Sequence, residues 1–121
     1  SFTPATTDQL LAIRVNAGID ELARSEHFAA AEPDLVEAIV SGIGEFAAGE
    51  FAPLNQIGDI EGARLENGIV RVPAGFTEAY RHYVAQGWNA IAGPTEFGGQ
   101  GLPFTLACNV LENLGTANMA F

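Results

Sequence analysis

From Pro33 onward, apolar residues recur at Val36, Ile39, Val40, Ile43, Phe46, Ala47, Phe51 and Leu54. That is the 3.6-residue repeat of a long amphipathic helix. A helix with such a stripe must bury one face against other elements, so the chain is committed to a packed helical layer. Pro33 opens it at a position where a missing N–H costs nothing, and Asp34 and Glu37 lie where the helix dipole favours negative charge. Asp34, Glu37, Ser41 and Glu45 mark the wet face. Pro53 predicts an end or kink, and Gly58 and Gly62 predict the exit.

The remaining segments supply the cover. Thr6-Thr7-Asp8 offers capping residues ahead of Leu10, Leu11, Ile13 and Val15, and helical spacing resumes after Gly18 at Ile19, Leu22 and Ala23. The spacing predicts two short helices, or one bent one, over residues 7–25, followed by a loop at His27–Ala31. Asn67-Gly68 between Arg64-Leu65-Glu66 and Ile69-Val70-Arg71-Val72 predicts a small hairpin near residues 63–72, closed by Pro73 and Gly75. Two strands alone are marginal, so the hairpin is expected to lean on helices. Phe76, Ala79, Tyr80, Tyr83 and Val84 predict a third helix stopped at Gly87. A Gly-rich loop then runs from Trp88 to Leu102. Pro103 opens another helix with Leu106, Ala107, Val110, Leu111 and Leu114 on one face, ended or loosened by Gly115. Thr116-Ala117-Asn118 reads as a joint into a further helix starting at about Asn118. The apolar pattern is still open at Phe121, so a truncated domain is expected. The fold class is all-α, a helical bundle with one small hairpin.

Charge excludes several partners. Five arginines, no lysine and fifteen carboxylates give a formal net charge of -10. Nucleic-acid binding needs phosphate neutralisation by Lys and Arg, and an anionic membrane surface asks for the same. No apolar run approaches the roughly 20 residues of a membrane span. The start, Ser1-Phe2-Thr3-Pro4, has no signal-peptide pattern, so a cytoplasmic protein is expected. Cys108 is the lone cysteine, set in Leu106-Ala107-Cys108-Asn109-Val110 with no neighbouring cation, and is expected to be a buried small hydrophobe.

Few residues suggest chemistry. Phe97-Gly98-Gly99-Gln100-Gly101 lacks the spacing and flanking strand of a dinucleotide loop, so its glycines are read as positive-φ positions. His27 and His82 have no second ligand at metal spacing, and His82 lies off the apolar stripe, which predicts solvated side chains and no metal site. No Ser-His-Asp arrangement can be built.

The segment Gly87-Trp88-Asn89-Ala90-Ile91-Ala92-Gly93-Pro94-Thr95-Glu96-Phe97-Gly98-Gly99-Gln100-Gly101-Leu102-Pro103 resembles the signature loop of acyl-CoA dehydrogenases. That pattern runs Pro-Glu-x-Tyr/Phe-Gly-Gly-x-Gly into a helix bearing Glu-Glu-Leu. Here one residue stands between Pro94 and Glu96, and the helix reads Leu111-Glu112-Asn113-Leu114, with Asn113 in place of the second Glu. Phe46-Ala47-Ala48-Gly49-Glu50-Phe51-Ala52-Pro53 followed by Asp59 is similar to the family's second-helix ending. The stretch from Asp59 to Pro73 and the closing Ala117-Asn118-Met119-Ala120-Phe121 look like the branch that includes methylmercaptopropionyl-CoA dehydrogenases.

The resemblance implies an enzyme of three parts: a helical amino-terminal domain, a β-barrel-like middle domain and a carboxy-terminal helical bundle. It would hold FAD, desaturate an acyl-CoA thioester between the α and β carbons, pass electrons to an electron-transfer flavoprotein, and form a homo-oligomer. Residues 1–121 are then the first domain, with the other two absent. No residue of the chain inherits a catalytic or flavin-binding role, so the chain alone is expected to be inactive. Glu96 and Glu112 are expected to be structural. The resemblance implies that the helix starting near Asn118 walls the acyl pocket, making Met119 and Phe121 the substrate-pocket candidates. The alternative is a free-standing acidic helical module that binds a protein or a lipid tail through uncovered apolar surface.

Overall fold

The computed structural model describes all 121 residues. The long stripe becomes α3 (Pro33–Phe46), the centre of the molecule. Val36, Val40 and Ile43 are shut from solvent on its inner face. They meet Leu106 and Val110 of α6 (Phe104–Ala117), while Ile13 of α1 (Thr6–Val15) joins the same core. Each such side chain contributes about 1.5–3 kcal/mol on burial, which is why α3 and α6 set the frame. The two short helices expected over residues 7–25 are α1 and α2 (Ile19–Leu22), divided at Gly18 with φ +62°.

Past Phe46 the stripe does not stay α-helical. Ala47–Phe51 widens into a single π turn, Ala52–Leu54 tightens into a 3₁₀ turn, and α4 (Asn55–Glu61) follows. Phe46 and Phe51 are five residues apart, a spacing that 3.6 residues per turn would splay to different sides. The i→i+5 bonds of a π turn bring them together instead, with ring centroids 5.5 Å apart and planes tilted by 53° in the core. Pro53, which has no N–H to donate, sits where the winding tightens. Gly58 does not mark the exit, as the sequence suggests, but lies inside α4. A Cβ there would meet Phe76 Cζ at 2.6 Å and the Ala120 Cβ at 2.8 Å. Gly62, at φ +61°, is the exit.

The hairpin forms where expected, as β1 (Arg64–Glu66) and β2 (Ile69–Arg71), antiparallel with Leu65 opposite Val70. Asn67 and Gly68 both take positive φ, 51° and 77°, as a type I′ turn requires. Contrary to expectation, it does not lean on the helices, for every residue of both strands is exposed. Turn chemistry and the cross-strand pairs hold it.

α5 (Phe76–Ala85) buries Phe76 and Ala79 and half-buries Tyr83, but Tyr80 and Val84 of its stripe face solvent. The Gly-rich loop that follows contains two 3₁₀ turns, Trp88–Ala90 and Thr95–Phe97. Its backbone is stitched to itself. The N–H of Gly99 donates to Pro94 O at 2.9 Å, Gln100 to Ala90 O at 2.9 Å, Gly101 to Gly93 O at 2.9 Å and Leu102 to Ile91 O at 3.0 Å. Gly98 and Gly101 take the expected positive φ, 85° and 63°. Gly99 is needed for a different reason, since a Cβ there would overlap the carbonyl of Gly93.

α6 runs through Gly115 to Ala117 without loosening. Its inner face is Leu106, Val110, Leu114 and Ala117, interleaved with the buried amides Asn109 and Asn113. Leu111, assigned to the core by its spacing, is 61% exposed, and Cys108 is exposed rather than buried. Two polar residues with short side chains take the inward positions that helical spacing alone would give to apolar ones.

Gly99→Ala is expected to cost about 3 kcal/mol or prevent folding, because the backbone of Gly93 cannot yield as a side chain can. Gly49→Ala, whose Cβ would meet nothing within 4 Å, should be neutral or stabilising by up to about 1 kcal/mol. Urea denaturation of the two variants measures the contrast.

Candidate functional site

The last turn of the chain and the faces of α5 and α6 enclose an apolar cleft of about 320 Å³. Phe51 forms its buried floor at 2% exposure. Tyr80 and Tyr83 line it from α5, and Leu111, Leu114 and Gly115 from α6. Phe121 and Met119 complete the wall. The structure therefore brings both sequence candidates to one cleft, though differently. Phe121 is stacked on Phe51 with centroids 4.0 Å apart and on Phe76 at 4.8 Å. Met119 stands at the mouth, 85% exposed.

Asn118 holds this arrangement. Its Nδ2 donates to Phe51 O at 3.0 Å, and its Oδ1 accepts the N–H of Ala120 and of Phe121, each at 3.0 Å. The Phe51 carbonyl is available because the 3₁₀ turn directs the Asn55 N–H to Ala52 O. Asn118 has extended backbone angles (φ -154°, ψ 99°) after the last residue of α6. Extended angles, with a side-chain oxygen on the N–H groups two and three residues on, are the geometry of a helix N-cap. The sequence predicts a further helix starting at about Asn118; residues 119–120 form a turn and no helix follows α6 within residues 118–121.

A hydrogen bond and burial shape the α5 side. His82 is exposed, as its position off the stripe suggests, and its Nδ1 lies 3.0 Å from Glu50 Oε2, tying α5 to the π turn. Burial, with a smaller effect from Tyr80, pushes the Tyr83 hydroxyl above the usual tyrosine range. Phe51, Tyr80, Tyr83 and Leu111 were legible as apolar positions but not as one site. The signal that could have found them is aromatic crowding: Tyr80 and Tyr83 a turn apart, and Phe51 five residues after Phe46.

Other candidates lie elsewhere. His27 packs edge-on to Phe28 with centroids 4.5 Å apart, far in sequence from His82 and without metal-ligating neighbours. Glu96 is exposed in the Gly-rich loop. Glu112 accepts from Gln9 Nε2 at 3.2 Å, bridging α6 and α1. The Gly-rich loop spends the N–H groups of residues 98–102, its glycine-rich end, on its own carbonyls, so those groups do not cradle a phosphate. No helix is long and apolar enough to cross a membrane.

No protein-family model matches the chain. A curated protein, 3-methylmercaptopropionyl-CoA dehydrogenase of Ruegeria pomeroyi, is 42% identical over 90 residues, which is 74% of this chain. The chain is homologous to an acyl-CoA dehydrogenase. It spans 15% of the length of that relative. The branch suggested by Asp59 to Pro73 and by Ala117 to Phe121 is the branch of this dehydrogenase, and the mostly helical fold with one hairpin agrees with the fold that the resemblance implies.

Asn118→Ala should destabilise the fold by about 2–3 kcal/mol, since it strips a buried carbonyl of its donor and two N–H groups of their acceptor. Faster amide exchange at Phe121 would accompany the loss. Asn118→Asp keeps the acceptor but sets a carboxylate against the Phe51 carbonyl, so exchange at Phe121 should stay slow while urea stability falls.

Tyr83 provides a pH signature. Its folded-state pKa is raised, so its contribution is fully present below the unfolded value of about 10 and is lost as pH rises through the folded value. Stability should therefore fall in alkali, and Tyr83→Phe should reduce that fall. Phenolate absorbance should show a late-titrating component that the same variant removes.

Proposed function

We propose that this chain is the amino-terminal helical domain of an FAD-dependent acyl-CoA dehydrogenase, and that the Phe51–Phe121 cleft walls its acyl pocket. The observation that carries this is the 42% identity to a dehydrogenase of an acyl-CoA over 74% of the chain. The cleft supports the pocket role, because its lining is almost wholly apolar and it lies where Met119 and Phe121 meet α5 and α6. A thioester's alkyl end gains by leaving water there, at about 0.8 kcal/mol per buried methylene.

The residues of this chain do not fit a flavin site. The Gly-rich loop spends the N–H groups of residues 97–102 on its own carbonyls, and the cleft is aromatic and aliphatic with few donors. The flavin, which supplies the redox chemistry, is placed on the middle and carboxy-terminal domains of a longer protein. The roles left to residues 1–121 are to bind the acyl tail, orient it and exclude water. An electron-transfer flavoprotein as acceptor, a homo-oligomeric assembly and a cytoplasmic location complete this reading.

The test uses the full reading frame that encodes the chain. The purified protein should carry a flavin absorbance that bleaches on addition of an acyl-CoA. Met119→Glu should leave flavin content unchanged and lower kcat/KM about tenfold, the effect of roughly 1.4 kcal/mol. A frame ending at Phe121, or a colourless protein that binds only an apolar peptide or lipid through the Tyr80–Leu111 face, would establish the free-standing acidic module instead.

A further inference from the structure

The cleft between α1 and α6 shares no lining residue with the acyl-pocket candidate. It measures about 320 Å³, with Asp8 and Asn16 on the α1 side and Thr105, Asn109 and Glu112 on the α6 side. Asn109 is 3% exposed, and neither its Nδ2 nor its Oδ1 has a hydrogen-bond partner. Asn113, one helical turn on and 1% exposed, leaves its Oδ1 unpaired as well. Buried amide atoms without partners are rare and costly, so the two of Asn109, the amide that lines the cleft, call for a ligand there.

The neighbouring groups are already spent. Asn113 Nδ2 donates to Gln9 Oε1 at 3.2 Å and to Asn109 O at 3.0 Å, and Gln9 Nε2 donates to Glu112. What faces the cleft is weighted to acceptors: Asn109 Oδ1 and the Asp8 and Glu112 carboxylates, neither of which is in an ion pair, against the one unpaired donor Asn109 Nδ2. Arg14, the cation on α1, is engaged with Glu37 at 3.8 Å. A completing ligand must therefore donate, and the uncompensated charge selects a cation. Ala5, Ala12 and Ala17 line the α1 side with small apolar surface suited to an aliphatic stem.

We propose that the α1–α6 cleft, with Asn109 at its base and Asp8 and Glu112 at its edge, is a binding site for an alkylguanidinium or alkylammonium group. A guanidinium, with five N–H donors in a planar fork, matches the acceptor set most fully. The proposal is independent of the dehydrogenase reading.

The test is a titration of the ¹⁵N-labelled chain with butylguanidinium, butylammonium and neutral butylurea at constant ionic strength, with a blocked arginine tripeptide as a further arm. The Asn109 side-chain amide should shift saturably with the cations and stay flat with butylurea. Glu112→Gln, an exposed and structurally mild change, should weaken the cation about fivefold, as loss of one partly solvated charge partner does. Asn109→Leu should abolish the shift of neighbouring amides. Saturation by the tripeptide would assign the site to a partner's arginine side chain, and saturation by the free cations alone to a small amine. No saturation with any cation, equal effects of butylurea, or unchanged affinity in Glu112→Gln would each overturn the proposal.

Discussion

The packing of α3 against α6 is the constraint to which the other elements adjust. Val36, Val40 and Ile43 on one helix and Leu106 and Val110 on the other lose nearly all contact with water. With each side chain contributing about 1.5–3 kcal/mol, no local preference elsewhere in the chain competes with this pairing. It explains why the winding changes after Phe46. To keep Phe46 and Phe51 on the buried side, the backbone takes one π turn, and the 3₁₀ turn that follows leaves the Phe51 carbonyl to Asn118. The cleft floor, the Asn118 bonds and the stacked Phe121 thus descend from this paired change of winding.

The glycine-rich loop is a second consequence. It must carry the chain from the end of α5 back to the start of α6 while keeping Ile91 and Leu102 in the core. Residues 90–102 do so by folding on themselves, with Gly99 pressed against the Gly93 backbone and Gly98 and Gly101 at positive φ. A loop with all these N–H groups consumed is a rigid support and not a ligand cradle. The similarity of this segment to the signature of acyl-CoA dehydrogenases then has a physical basis, because the motif's glycines are what the fold's return path needs.

Much of this was legible in the sequence, since periodicity reports burial directly. Pro33, the stripe of α3, Asn67-Gly68 and the Pro103 start of α6 each produce the element that local chemistry demands. What escaped was set by tertiary contacts. α4 is short and has no stripe of its own, and Gly58 reads as a breaker although it is a helical residue pressed against Phe76 and Ala120. Asn109 and Asn113 took inward positions that spacing would give to Leu111 or Cys108, because α1 meets that face with Gln9 and a polar seam. The hairpin was expected to need support from helices, yet turn geometry and its cross-strand pairs hold it with every strand residue exposed. In the candidate site, Met119 and Phe121 were legible through the family resemblance, while Phe51, Tyr83 and the Asn118 bonds depend on a π turn that no simple period encodes.

α6 carries the functional argument furthest. Its inner face is Leu106, Val110, Leu114 and Ala117, but Phe104, Ala107, Leu111 and Gly115 form a second apolar row on the outer face, with Phe104 71% and Leu111 61% exposed. A helix apolar on both sides is built to be covered on both. The outer row adjoins Tyr80, Tyr83 and Met119, so the apolar cleft is the lower half of a larger surface and not an isolated dimple. An acyl chain alone would cover the stretch near Phe121 and leave Phe104 wet. Covering the whole row would take a further layer of protein over α5 and α6, and under the proposed function an acyl tail would lie between the two layers. A tail enclosed in that way would be dry on all sides, which a groove on the surface of this chain by itself does not achieve.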